Sequence, residues 1–333
     1  MPDQSDGVGP THFSSLTPPL AQEPSHKNRY LIIIGAVVLI LVLVAAAFIF
    51  TPLKGYIGAL LGQIKIPTEL KGATFIADSD QTKTTLYSFD KAIRETEALE
   101  GVLVSAEKTA AGEARITRSG GGNFSVSLDE KVLFKDSFPR IGISRSPDGT
   151  RVVFAQSLEI SSFISPAEGA LLPLDRKRWE IIMYEPASRS TINLGKGVSP
   201  FFIDQTHVAW IAPAGLAVMD LTTGVTKVLV PDVGGRVIAT ALVSPDHSVI
   251  AWYGKGSKTL LAYKVNTDSA EPLPPTAISG SMRSLALGND GFFIISIAHG
   301  YAELFKQPFG QESASVGRLP GNLGIGRVLL GSI

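Results

Sequence analysis

Residues 146–155 read SPDGTRVVFA, and residues 243–253 read VSPDHSVIAWY. Each places a Ser-Pro-Asp turn directly before a short apolar strand. Pro147 presets φ for the second position of a type I turn, and Gly149 suits the fourth. In the second copy His247 stands where that glycine would be, and histidine is one of the non-glycine residues enriched at positive φ. The spacing predicts that each copy reverses the chain between the first two strands of a small sheet. Gly288-Asn289-Asp290-Gly291, before FFIISIA, reads as a third copy. Ser199-Pro200, followed by an Asp204-Gln205-Thr206 turn and HVAWIA, reads as a degraded one.

A second recurring feature is a strand that, in most copies, ends in an acidic residue before a turn. TTLYSFD ends at Asp90, NFSVSLD at Asp129, EIIMYE at Glu185 and GLAVMD at Asp220. LLAYKV ends at Val265, and the looser AELFKQPF at Phe309. A polar turn and a second strand follow each: TEALEG, KVLFKD, TINLGK, TKVLVP, AEPLPP and ASVGRLP. The interval averages roughly 44 residues, within the ~40–45 of a four-stranded propeller blade. From Gly72 onward short apolar runs alternate with Gly, Pro, Asp and Ser clusters and no long helical period, the pattern of an all-β domain. The paired strands amount to about six four-stranded blades, with five or seven as alternatives. GRVLLGSI, at 326–333, is placed to pair into the first blade and close the ring. Residues 157–178 are too long for a hairpin loop and read as a protruding insertion.

An SPDG turn, an apolar strand, a gap and a strand such as GLAVMDLTTG together resemble the repeat of TolB-type β-propellers. The resemblance spans residues 72–319 and is closest in SPDGTRVVFA and GLAVMDLTTGVTKVLV. The first two units lack the Ser-Pro-Asp turn. The resemblance implies a propeller fold and, for a partner, a protein of a cell-envelope assembly.

Residues 31–50, LIIIGAVVLILVLVAAAFIF, contain no charge. At about 1.5 Å per residue a helix of that length spans roughly 30 Å, a bilayer's hydrocarbon core. A cleaved signal peptide is the rival reading, but its apolar region should be shorter, and Phe48-Ile49-Phe50 continue past Ala45-Ala46-Ala47. Lys27 and Arg29 flank one end, with Lys54, Lys65 and Lys71 beyond the other, so charge alone does not orient the span. The short Pro- and Ser-rich tail favours a cytoplasmic N-terminus and an extracytoplasmic propeller. The expected organisation is a disordered tail at 1–29, a transmembrane helix at 30–51, a juxtamembrane linker or surface helix at 52–71 and the propeller at 72–333.

The chain has 30 Lys plus Arg and 30 Asp plus Glu, so its formal charge is zero and a nucleic-acid partner is not expected. With no cysteine, disulfides and Cys-ligated metals are excluded. His12, His26, His207, His247 and His299 show no metal-ligand spacing. His247 reads as a turn residue. No G-x-S-x-G occurs, so a serine hydrolase is not announced. WYGKGSKT at 252–259 does not satisfy the phosphate-loop pattern, and GNLGIG at 321–326 has the wrong glycine order for a dinucleotide. Asp78-Ser79-Asp80 reads as a solvated turn before half a calcium loop. Trp210 and Trp252, in corresponding strands, read as core between blades.

Arg176, Lys177, Arg178 and Trp179 form the one basic–aromatic cluster, open to an acidic partner or lipid headgroups or to plain solvation. No catalytic residue, metal or cofactor is expected. The leading expectation is a membrane-tethered, non-enzymatic interaction platform. The alternatives are a propeller hydrolase or lyase, whose residues would gather at the channel mouth, and a ligand-binding sensor.

Overall fold

Strands form where apolar side chains recur, and their burial depends on their distance from the ring axis. The computed structural model describes residues 37–38, 70–71, 73–79, 82–89, 93–159, 175–231, 241–252, 259–277, 282–298, 301–319 and 326–329. The chain divides into two compact units, Met1–Tyr56 and Ile57–Ile333. Of the first unit only Val37 and Val38 are described, both in an α-helix. Apart from these two, the expected tail and span lie outside the described residues, as does the linker up to residue 69. Among the described residues no helix is long and apolar enough to cross a membrane.

The second unit is a β-propeller. Its first strands are β1 (Thr74–Ser79), β2 (Lys83–Phe89) and β3 (Ile93–Glu100). The next sheet is β4 (Val102–Thr109), β5 (Gly112–Arg118), β6 (Phe124–Leu128) and β7 (Lys131–Asp136). The third comprises β8 (Arg140–Arg145), β9 (Val152–Ser157), β10 (Trp179–Glu185) and β11 (Ser190–Lys196). The fourth comprises β12 (Val198–Phe202), β13 (His207–Ala212), β14 (Gly215–Asp220) and β15 (Thr226–Pro231). The fifth has β16 (Leu242–Val243), β17 (Val249–Trp252), β18 (Thr259–Val265), β19 (Ala270–Pro272) and β20 (Thr276–Ala277). The sixth has β21 (Met282–Leu287), β22 (Gly291–Ala298), β23 (Tyr301–Pro308) and β24 (Ala314–Arg318). Finally β25 (Gly326–Leu329) returns antiparallel to β1, Thr74 opposite Leu329, and closes the ring.

Five of these sheets are four-stranded, whereas the fifth in chain order has five strands, a departure from the expected uniform blades. There β19 and β20 both pair with β18, in nearly continuous register. They are two pieces of one outer strand, parted where Pro274 and Pro275 lack ladder donors.

Second strands are sandwiched between neighbouring blades, so every residue of β17 is buried. Outer strands such as β15 (TKVLVP) are largely exposed. In β6 burial alternates strictly, Phe124, Val126 and Leu128 inward. Apolar clusters fill the seams. Ile116, Val126, Phe154 and Tyr184 join the second and third sheets. Phe89, Phe293 and Leu304 join the first and last. Trp210 and Trp252 are core, as expected, with the Trp210 indole N–H donating to the Lys196 carbonyl at 3.1 Å. Leu70, at the end of the expected linker, is fully buried against Phe89 and thus belongs to the propeller core.

The two Ser-Pro-Asp turns are superimposable in their bonding. The Ser146 hydroxyl donates to Asp148 at 2.6 Å and accepts from the Arg151 amide at 2.9 Å. Ser244 donates to Asp246 at 2.7 Å and accepts from the Val249 amide at 2.9 Å. Gly149 (φ +74°) and His247 (φ +59°) occupy the same left-handed position. Each turn joins the first two strands of its sheet, as the spacing predicts. Ser199-Pro200 is not such a turn. It lies inside β12, where the pairing with β13 shifts register between Val198 and Phe201. Pro200 is tolerated because β12 is an edge strand and the site is a bulge. The insertion is described only at its ends, residues 157–159 and 175–178.

A Cβ at Gly197 (φ +153°) would meet Trp210 Cδ1 at 2.4 Å and the Ile211 carbonyl oxygen at 2.5 Å. Gly197→Ala is therefore expected to destabilise the propeller by about 1–3 kcal/mol, read as a lower midpoint in tryptophan-detected thermal unfolding. Asp129 (φ +45°) and Glu130 (φ +70°) form the two-residue hairpin turn between β6 and β7, both left-handed. The long Glu130 side chain is strained there, so Glu130→Gly is expected to stabilise by about 0.5–1 kcal/mol in the same assay.

Candidate functional site

The first strand of each sheet borders the channel, and its outward backbone edge faces the next blade instead of a sheet partner. Serines answer that need. The Ser105 hydroxyl accepts from the Ile143 amide at 3.1 Å, Ser144 from Phe202 at 3.2 Å, and Ser199 from Ala241 at 3.2 Å. These bonds hold β4, β8 and β12 in fixed relative height. They thereby align a group of polar residues at the mouth where the Ser-Pro-Asp turns lie.

At its centre Glu107, near the end of β4, meets His247, in the turn between β16 and β17. Glu107 Oε1 lies 2.6 Å from His247 Nε2. His247 Nδ1 lies 2.6 Å from the Phe202 carbonyl oxygen. A carbonyl can only accept, so Nδ1 carries a proton. Opposite an ionised Glu107, Nε2 donates as well, and that pattern of two donors is the one an imidazolium makes. The second oxygen of Glu107 accepts from the Arg145 backbone amide. The Arg145 guanidinium turns to Asp129, 2.8 Å from Oδ2, and to the Gly149 carbonyl at 3.3 Å. The Phe201 ring meets the imidazole edge-on at 6.1 Å.

Glu107 belongs to the second sheet and His247 to the fifth, three sheets away in either direction round the closed ring. Their bond links sheets on opposite sides of the ring. The His247 and Glu107 side chains are largely shielded, at 12% and 16% exposure respectively. Burial alone would lower the His247 pKa, but the hydrogen bond and charge of Glu107, helped by the Phe202 carbonyl and Asp246, raise it above the ordinary value. Burial likewise pushes the Asp129 carboxyl up, while the Glu113 amide and Arg145 more than offset this and lower it. Beside Asp129 opens a cavity of about 250 Å³ lined by Glu113, Arg115, Asp129 and Glu130. Arg115 is held there by Glu113 and, at 2.8 Å, by Glu97, so its charge is already answered.

The basic–aromatic cluster does not survive as a surface unit. Trp179 opens β10 and is 2% exposed within the core. Arg176, Lys177 and Arg178 form one 3₁₀ turn capped by Asp175. Arg178 pairs with Glu159 at 2.9 Å and with Asp175 at 3.3 Å on the exposed surface. Chain direction explains the split, since a residue entering a strand turns inward while the preceding turn stays out. His207 is tied to Asp204 at 3.0 Å within its own turn. Asp78 and Ser79 lie in β1 and not in a turn. His12, His26 and His299 lie outside the described residues, as do most of 252–259 and 321–326. Among the described residues no cluster of three or more His, Asp or Glu could hold a metal ion.

No family model matches the chain, and no curated protein matches it. Solved structures do. TolB from Acinetobacter baumannii superposes with a TM-score of 0.52 at 17% identity, covering 83% of this chain and 70% of that one. The fold is a β-propeller, similar to that of TolB. A chain of the nidogen/laminin complex matches with a TM-score of 0.50 at 9% identity, over 78% of this chain and 99% of that one. Oligogalacturonate lyase in complex with manganese matches at 0.47 and 13%, over 74% and 78%. At these identities the likeness is one of fold. In this propeller both imidazole nitrogens of His247 are engaged, Nδ1 with the Phe202 carbonyl and Nε2 with Glu107.

His247→Phe would leave Glu107 with only the Arg145 amide and is expected to cost about 2–4 kcal/mol. The folded-state pKa of His247 is raised, so its contribution is full below the unfolded value of about 6.5 and is lost as pH rises through the folded value. The stability gap between wild type and variant should therefore narrow with rising pH in unfolding series. A gap constant from acid to alkaline conditions would contradict this account.

Proposed function

We propose that the chain is a membrane-tethered, non-enzymatic docking platform of the cell envelope, anchored through residues 31–50 with its propeller on the extracytoplasmic side. The observation that carries this reading is that, among the described residues, the polar side chains grouped at the Ser-Pro-Asp turns are bonded to one another. Glu107, His247, Arg145 and Asp129 answer one another, so recognition falls to the rim. There Val132 on β7, Ile192 on β11 and Val228 on β15 stand 55%, 49% and 43% exposed on the outer strands of three successive blades. Apolar side chains on a polar rim suit protein contact. TolB as a structural neighbour supports an envelope protein as the partner by analogy of fold, and the charge-free run at 31–50 supports the tether.

The test is crosslinking in membranes with a C-terminally tagged chain, compared with a tagged version carrying residues 1–70. One envelope protein enriched only through residues 71–333 is expected. The joint substitution V132S/I192S/V228S should lower that capture several-fold while leaving the melting temperature within a few degrees. Equal capture by the short version would place recognition in the anchor and sink the docking reading.

A further inference from the structure

The bond between Glu107 and His247 joins residues 140 positions apart in sequence and on opposite sides of the ring. Nothing in blade formation requires it, because the equivalent turn at 146–151 closes with Gly149 and no such side chain. A glycine at 247 would adopt φ +59° without the steric cost that a Cβ incurs. The histidine thus stands at a left-handed position that glycine would fill without steric cost, and makes a contact across the ring that glycine could not.

We propose that the Glu107–His247 bridge is a pH-operated clasp, which holds the channel mouth shut while the imidazole is doubly protonated and releases it on deprotonation. The bridge links two pairs of blades. Glu107 binds the Arg145 amide and so ties β4 to β8, while His247 binds the Phe202 carbonyl and so ties its turn to β12. When Nε2 loses its proton, Nδ1–H keeps its bond to Phe202, but the Nε2 lone pair then faces the Glu107 carboxylate. Two acceptors at 2.6 Å repel, and the span between opposite sides of the propeller opens. Among the described residues, the charged or titratable groups facing the ring are Glu107 from β4 and Asp246 from its own turn, both favouring the cation. Arg145 on β8 approaches through its backbone amide, with its guanidinium spent on Asp129. Burial works against the cation, and the two carboxylates together with the Phe202 carbonyl outweigh it. The clasp does not depend on which partner the rim takes.

Hydrogen–deuterium exchange of the full chain in lipid nanodiscs tests this, with rates corrected for the intrinsic pH dependence of amide exchange. Peptides covering 102–109, 140–149 and 242–249 are expected to lose about tenfold protection per unit by which the His247 pKa is raised, between about pH 5.5 and pH 8.5. Peptides from β22 and β23 should not change. Glu107→Gln, whose amide N–H can donate to a neutral imidazole, should flatten the profile, and His247→Gln should give low protection at every pH. Exchange at the imidazole carbon between the ring nitrogens should report a His247 midpoint above about 6.5 in the wild-type chain. This last measurement stands even if a variant fails to fold. A flat wild-type profile, a midpoint below the ordinary histidine value, or a loss of protection shared equally by β22 and β23 would overturn the clasp.

Discussion

Each small sheet in this chain has two apolar faces, and neither can leave water until the sheet stands between two others. That constraint governs nearly everything else in the structure. It requires a ring, and a ring must close. β25 closes it by pairing with β1, so that the first sheet is made from both ends of the propeller sequence. It also leaves the inner strands with backbone donors that no sheet partner can reach. Ser105, Ser144 and Ser199 meet those donors from the preceding blade, which converts a stack of hydrophobic seams into a registered one. Each such bond contributes only about 1 kcal/mol, but an unmet buried amide would cost more. Their main effect is to set the height at which neighbouring blades lock.

The contact between Glu107 and His247 follows from that registration. Were β4 or β8 displaced by one residue, Glu107 and the Arg145 amide would not meet, and the carboxylate would face a different point of the channel. Because the height is set, the turn carrying His247 can reach across the ring and find its partner at 2.6 Å. The same turn that makes a strand reversal in one blade makes a bridge in another, through the single change from Gly149 to His247. The rim is freed from such constraints. Its outer strands face water, and their side chains are available for contact with another molecule.

Much of the architecture was legible in the sequence because it rests on local rules. The Ser-Pro-Asp turns are closed by hydrogen bonds within six residues, and every paired strand run from TTLYSFD to ASVGRLP occupies the third and fourth positions of its sheet. Other readings failed where local pattern met tertiary packing. Ser199-Pro200 looked like a turn because proline marks turns, yet the inner strand bulges there and needs no donor. Trp179 looked like part of a basic surface because it follows three cations, yet it begins a strand and turns into the core.

The sequence by itself determined the β class, the repeat length, the turn chemistry and the charge-free run before the propeller, because each is written in spacings of a few residues. Only the tertiary structure decided what stands at the channel mouth. Glu107 and His247 are each unremarkable in their own segments, one a polar residue ending a strand and the other a histidine in a turn. No periodicity connects them, since their meeting depends on the closure of the whole ring and on the accumulated twist and height of the blades between them. A contact of that kind is set by the geometry of the assembly of sheets, and a linear pattern carries no record of it.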